Sequence, residues 1–255
     1  MFIGIDIGST CAKTVVLDKD KNLIFKFVQP TGFSSVDTAD LIKEKLIENG
    51  IEFDENHIFA TGYGRISVPY AKKRITEITC HAKGAVHLFN DENMILLDIG
   101  GQDTKVISIE NGQVKDFLMN DKCSAGTGRF LEVMANSLAL CPIELCDLAS
   151  KGGGVKISSM CTVFAESEVI SLVAKGEKKE NIAFAVVDSI SDKAVTLCRK
   201  LFNDSRKVYL TGGLCNCSFL LKRIGEKLNT KVSSSSEAQF AGAFGASLLC
   251  LEQST

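Results

Sequence analysis

One phrase occurs twice in this chain. Residues 6–13 read DIGSTCAK and residues 98–105 read DIGGQDTK, each placing a Lys seven positions after the Asp. The continuations also match: Thr14-Val15-Val16-Leu17-Asp18 against Val106-Ile107-Ser108-Ile109-Glu110. Each copy is entered from a short apolar run, Phe2–Asp6 or Met94–Asp98, that ends in the acidic residue. Such a run is the mark of a buried strand entering a tight turn. The repeat therefore restricts the chain to a duplicated architecture of strand, phosphate-sized turn and strand. Further turns are expected at Lys19–Asn22 and at Asn111-Gly112.

A glycine-rich turn between strands presents backbone N–H groups to an anion, and only Gly lets the backbone come close to a phosphate. A single turn of this kind is a weak signal. Two matched copies, each led by an Asp able to hold Mg²⁺ through water, imply two loops facing each other across a cleft and gripping one nucleotide from both sides. For each Asp or Gln the alternative is a turn residue bonding its own backbone. No stretch reads GxxxxGK[ST], and Gly62-Tyr63-Gly64 and Gly126-Thr127-Gly128 are too short for dinucleotide fingerprints.

Composition excludes several other classes. At 255 residues the chain suits one large domain or two of ordinary size, and 45% hydrophobic with 24% charged residues is globular rather than disordered. The 29 Lys and Arg balance 31 Asp and Glu without a basic stripe, so nucleic acid is not an expected partner. No apolar run approaches the roughly 20 residues of a bilayer span, and the N-terminus lacks the marks of a signal peptide. A soluble, cytoplasmic protein is expected. Its ten cysteines are then reduced thiols. Most read as small buried hydrophobes, with a few left for metal or redox chemistry.

Apolar spacing outlines the remaining elements. Leu41, Ile42, Leu46 and Ile47 mark a helix stopping at Asn49-Gly50, and Ile75, Ile78, Ala82 and Val86 mark a second one after a strand at 58–62. Phe130, Met134 and Leu138 share a helix face. Phe184, Val187, Ala194, Leu197 and Leu201 define a longer helix before a strand at Val208–Thr211. The last helix, near Glu237–Leu251, carries small residues suited to close packing. The expected domains are residues 1–90, residues 91–236, and a C-terminal helix at 237–255 that folds back on the first half.

DIGST…K, DIGGQD…K and VYLTGG (208–213) resemble the first phosphate, second phosphate and adenosine motifs of the acetate and sugar kinase, Hsp70 and actin superfamily. MNDKCSAGTGRFLEVMA (119–135), SSMCTVFAESEVISL (158–172) and ATGYGR (60–65) resemble more narrowly the ATP-dependent activators of 2-hydroxyacyl-CoA dehydratases. These are small homodimeric iron–sulfur ATPases related to the ATPase subunits of benzoyl-CoA reductase. The resemblance implies an α/β, two-lobed actin-like ATPase fold with duplicated ribonuclease-H-like halves and a nucleotide cleft between them. It assigns Asp6, Gly8, Ser9, Thr10 and Lys13 to the first phosphate loop and its Mg²⁺. Asp98, Gly100, Gly101, Gln102 and Asp103 fall in the second, with Asp98, Gln102 and Asp103 catalytic and Gln102 orienting the attacking water. Gly212 and Gly213 fall under the adenosine of ATP or ADP.

It also implies that Cys123 and Cys161 bind a 4Fe–4S cluster. Each is expected just before a helix, after Asn120-Asp121 and Ser158-Ser159, where the positive end of the helix dipole favours a thiolate. A cluster needs four thiolates, so two copies related by a two-fold axis would share one. The implied function couples ATP hydrolysis to passing a low-potential electron from a ferredoxin or flavodoxin to a 2-hydroxyacyl-CoA dehydratase or related reductase. Two alternatives stay open: a small-molecule kinase of the same superfamily with Glu166 as base, and a non-catalytic nucleotide-dependent binding module with buried cysteines. The other cysteines read as follows. Cys141 and Cys146 match no ligand spacing, Cys215 and Cys217 suit packing, and Cys11 fills space. Cys80-His81 reads as a helix-face coincidence, and Lys151-Gly152-Gly153-Gly154 as a flexible connector permitting domain motion.

Overall fold

The computed structural model describes residues 1–158, 161–202 and 206–254. Strands β1 (Phe2–Ile7), β2 (Cys11–Leu17), β3 (Leu23–Pro30), β4 (Ile58–Thr61) and β5 (Lys73–Arg74) form one sheet in the order β3-β2-β1-β4-β5. A second sheet holds β6 (Met94–Ile99), β7 (Thr104–Glu110), β8 (Gln113–Asn120), β9 (Lys207–Gly212) and β10 (Val232–Ser233) in the order β10-β9-β6-β7-β8. Strand for strand the two successions are the same, so the repeated phrase marks a repeated sheet. In the first, β1 runs antiparallel to β2 and parallel to β4, which sets Asp6 opposite both Lys13 and Thr61. In the second, β6 runs parallel to β9 with Asp98 opposite Thr211.

Both third strands, β3 and β8, escape the periodicity reading, which passes from turn to helix. They are edge strands with apolar residues turned outward, Leu23, Ile24 and Val28 on one and Phe117 and Met119 on the other. Without one face consistently buried, the period-two signal fades.

The helices are α1 (Ser35–Glu48), α2 (Glu77–Phe89), α3 (Gly128–Ser137), α4 (Pro142–Ala149), α5 (Thr162–Ala174), α6 (Lys179–Cys198), α7 (Ser218–Leu228) and α8 (Ala241–Glu252). Ser34 caps α1 by accepting from the Asp37 N–H at 3.2 Å. The chain forms two compact units: residues 1–92, 109–115 and 237–255, and residues 93–108 with 116–236.

In the first unit Ile3, Ile5, Ile7, Ile42, Leu46 and Ile58 pack one side of the sheet against α1. On the other side α8 meets backbone directly. A Cβ built on Gly4 would stand 2.0 Å from the Ala243 carbonyl oxygen, and one on Gly245 would stand 1.8 Å from that of Cys80. The small residues of α8 are therefore a contact surface for β1 and α2. In the second unit Ile95, Leu97, Phe130, Met134, Ile182, Val186, Ile190 and Leu210 build the core between the sheet and its helices. No helix among the described residues is long and apolar enough to cross a membrane.

Gly152, expected to be part of a flexible connector, is packed against backbone. It lies within the second unit, where a Cβ on Gly152 would be 2.0 Å from the Glu180 carbonyl oxygen. The Gly153 N–H donates to Asn181 Oδ1 at 3.1 Å. Close approach to the start of α6 explains the glycine at 152, and a φ of 77° suits the one at 154.

Candidate functional site

In the first unit, Asp6 is the penultimate residue of β1 and is 3% exposed. The turn after it is braced from the end of β3. Gly8 N–H donates to the Cys11 carbonyl at 3.1 Å, Thr31 N–H to that of Thr10 at 3.0 Å, and Thr31 Oγ1 to that of Gly8 at 2.7 Å. Ser9, Thr10 and Lys13 stay partly or fully open to solvent around this turn. Gly62, at φ 85°, follows β4, and a Cβ there would meet Asp6 Oδ1 at 2.4 Å. A Cβ on Gly242 would meet Asp6 Oδ2 at 2.6 Å and His81 Nε2 at 2.9 Å.

His81 is no helix-face coincidence. It is 5% exposed on α2, with Nε2 3.9 Å from Asp6 Oδ2 and 3.7 Å from Glu77 Oε1. Burial pushes the neighbouring Cys80 thiol up to about 12; a Thr61 hydrogen bond opposes this, while the Asp6 and Glu77 charges add to it.

In the second unit, Asp98 is the penultimate residue of β6 and is 1% exposed. Thr211 Oγ1 donates to Asp98 Oδ1 at 2.8 Å, and the buried Lys105 Nζ stands 3.4 Å from Asp98 Oδ2 and 2.8 Å from Asp103 Oδ2. Gly100 N–H donates to the Asp103 carbonyl at 2.9 Å, closing the turn, while Gln102 points outward and exposed. Gly212, at φ 89°, lies against Ile99, and Gly213 N–H donates to the Ile99 carbonyl at 3.1 Å. Asp98, Gly100, Gly101, Gln102, Asp103, Gly212 and Gly213 thus gather at the neighbouring ends of β6 and β9.

A second repeat escapes the motif reading. Thr61-Gly62 at the end of β4 corresponds to Thr211-Gly212 at the end of β9, each Thr opposite its unit's loop Asp in the strand register. The apolar runs Ile58–Ala60 and Val208–Leu210, each followed by Thr-Gly, carry that signal in the sequence. His81 carries no comparable mark, and its place beside Asp6 depends on how α2 packs.

The glycine loop of the second unit is joined to the start of α3. Gly128 N–H donates to the Gly100 carbonyl at 2.9 Å, Arg129 N–H to that of Gly101 at 2.7 Å, and Thr104 Oγ1 to that of Gly126 at 2.9 Å. The first N–H groups of a helix have no partner within it, and here the loop supplies them. Cys123 precedes this helix at a distance: Thr127 is the N-cap, so the thiol sits in the loop before it rather than at the helix start. The helix begins late because Gly126 is pressed on α6, where a Cβ would lie 2.8 Å from Lys193 Cβ. Cys161, by contrast, is the N-cap of α5. Ser158 ahead of it donates from its N–H to Glu168 Oε1 at 3.1 Å, and Ser159 falls outside the described residues.

Ser124 and Thr162, the residues that follow the two cysteines, share a hydroxyl–hydroxyl hydrogen bond of 2.9 Å. Cys123 and Cys161 are both exposed. Cys141, also exposed, caps α4 and donates its N–H to Glu144 Oε2 at 2.7 Å. Cys146 and Cys217 hydrogen bond to each other in the core, which raises the first and lowers the second. Glu166 accepts from Ser137 Oγ at 3.2 Å where α5 packs on α3.

The model of the BadF/BadG/BcrA/BcrD ATPase family matches residues 3–250. The chain belongs to that family. It is 40% identical over 250 residues to the (R)-2-hydroxyglutaryl-CoA dehydratase activating ATPase of Acidaminococcus fermentans, covering 96% of this chain and 95% of that protein. The activator of lactoyl-CoA dehydratase of Anaerotignum propionicum is 38% identical over 253 residues, 98% of this chain and 97% of that one. Among solved structures, the activator of the 2-hydroxyisocaproyl-CoA dehydratase from Clostridium difficile with bound ADPNP superposes with a TM-score of 0.92 at 34% identity, covering 99% of this chain and 94% of that one. The paired five-stranded sheets of this BadF/BadG/BcrA/BcrD-family chain are accordingly those of an actin-like ATPase.

Proposed function

We propose that this chain is an activating ATPase that couples ATP hydrolysis to delivery of a low-potential electron to a partner dehydratase or reductase. Asp6, Gly8, Ser9, Thr10 and Lys13 serve the phosphates and Mg²⁺ from one loop. Asp98, Gly100, Gly101 and Asp103 serve them from the other, Gln102 orients the attacking water, and Gly212 and Gly213 border the adenosine. Mg²⁺, when bound, neutralises charge developing on the phosphates.

The observation that carries the redox half of this reading is the Ser124–Thr162 hydrogen bond. It draws together the two segments bearing the exposed thiols of Cys123 and Cys161. Two thiolates per chain are the right donors in half the number for a 4Fe–4S cluster, so a second copy supplies the other two. A cluster bound there supplies one-electron chemistry at low potential. Val163 and Phe164, 66% and 68% exposed beside Cys161, give the homodimer apolar surface to bury.

Coupling runs through backbone. Because Gly100 and Gly101 hold the first turn of α3, a shift of this loop with the state of the phosphates moves the Cys123 segment as well. The dehydratase activators among the relatives support the choice of recipient. The electron donor is a ferredoxin or flavodoxin. Anaerobic purification tests the proposal: a brown protein with one 4Fe–4S cluster per dimer is expected, and Cys161→Ser should lose the iron while still binding ATP. Iron retained in that variant, or bound by a monomer, refutes the cluster assignment.

A further inference from the structure

The two loops open with the same Asp-Ile-Gly, yet their aspartates have different neighbours. Asp98 has Thr211 and Lys105 at its oxygens. On the first loop the matching threonine turns elsewhere, with Thr61 Oγ1 donating to the Ile75 carbonyl at 3.1 Å. The matching lysine, Lys13, is half-buried, whereas Lys105 is 1% exposed. What faces Asp6 instead is the imidazole of His81, which α2 delivers.

We propose that His81, with Glu77 behind it, is a positioning residue that holds the Asp6 carboxylate in the orientation needed for nucleotide-bound Mg²⁺. The slot around that carboxylate is tight. Gly62 confines Oδ1, Gly242 confines Oδ2, and a Cβ at either position would enter the carboxylate. Within this slot His81 Nε2, 3.9 Å from Oδ2, limits rotation of the Asp6 carboxylate. Glu77, one helical turn before His81, has Oε1 3.7 Å from the same nitrogen and steers the ring. Groups that orient a ligand of a metal from behind are worth about 10- to 100-fold in metal affinity or activity.

This role rests on the Mg²⁺-dependent ATPase reading, and the experiment separates the two. The dimeric protein is titrated with Mg²⁺ while binding of a fluorescent ATP analogue is followed, alongside turnover and thermal unfolding without nucleotide. His81→Leu should raise the Mg²⁺ concentration for half-maximal effect by about 10- to 100-fold, with the nucleotide affinity measured without Mg²⁺ unchanged. His81→Gln, whose amide N–H falls close to the place of imidazole Nε2, should recover most of that loss. Glu77→Gln should shift the Mg²⁺ requirement in the same direction by a smaller factor. An unchanged Mg²⁺ requirement in His81→Gln and Glu77→Gln, together with His81→Leu either unchanged or changed only in its unfolding temperature, overturns the positioning role. Asp6→Asn tests the parent reading: wild-type Mg²⁺ dependence in that variant removes both claims, whereas its loss with normal His81 variants removes only this one.

Discussion

The two glycine loops are near copies in sequence and different machines in structure. In the second, a lysine that is 1% exposed and a threonine from the adjacent strand hold the aspartate, and the loop carbonyls continue into α3. In the first, the loop is braced by Thr31 from the end of β3, and its aspartate lies between two glycines and a histidine. Duplication copied the strand-turn-strand frame. The elements packed around each copy, α2 and α8 in one unit and α3 and β9 in the other, then decided what each aspartate meets. One loop is tied to the segment bearing Cys123, and the other has its aspartate confined by Gly62 and Gly242 beside His81.

The largest expected effect that tests this contrast comes from the two lysines. Lys105→Met leaves buried carboxylate charge without its cation and should destabilise the protein by about 3–5 kcal/mol. Lys13→Met, at a half-buried position, should cost under about 1 kcal/mol and act instead on nucleotide affinity. Urea unfolding of both variants checks this, and equal losses would break the contrast. The next effect in size concerns what the loops share. Gly62→Ala and Gly212→Ala each meet a left-handed backbone and a close contact, so both should lose about 1–3 kcal/mol or more. A loss at only one site would show that the Thr-Gly repeat is not structurally equivalent.

Smaller again is the threonine pair. Thr211→Val removes a donor to a buried carboxylate and should cost about 1–3 kcal/mol along with turnover. Thr61→Val removes a neutral bond to a carbonyl and should cost about 1 kcal/mol. Thermal unfolding and steady-state ATPase assays distinguish them. The smallest perturbation is thiol labelling of iron-free protein at pH 8. Cys123, Cys141 and Cys161 are exposed and should label first. Burial raises Cys80 and Cys198 to about 12 and Cys250 to about 11, which keeps them as neutral thiols, so they should label only on unfolding. Mass spectrometry of the labelled peptides reads the order.

Much of the frame is legible from residues alone. The repeat announces two like sheets, and apolar spacing finds most helices to within a few residues, because both signals are local and periodic. Edge strands β3 and β8 escape because neither has one consistently buried face. Gly152 is misread for a different reason: a glycine chosen for flexibility and one chosen for contact look identical until the contacting backbone is known. Cys123 is placed too near its helix because the late start of α3 depends on Gly126 meeting α6.

By itself, then, the amino-acid order determined the duplicated frame, the position of both aspartates at strand ends and the family of the chain. The frame and the aspartate positions depend on hydrophobic periodicity and short-range turn chemistry, which neighbouring residues specify among themselves, while the family rests on the resemblance of the motifs. Tertiary structure alone decided that His81 stands at Asp6, that Lys105 is buried at Asp98, and that the second loop is joined to α3. The first and third join groups remote in sequence, and the burial of Lys105 depends on what packs over its strand, so only the packing of whole elements brings them about.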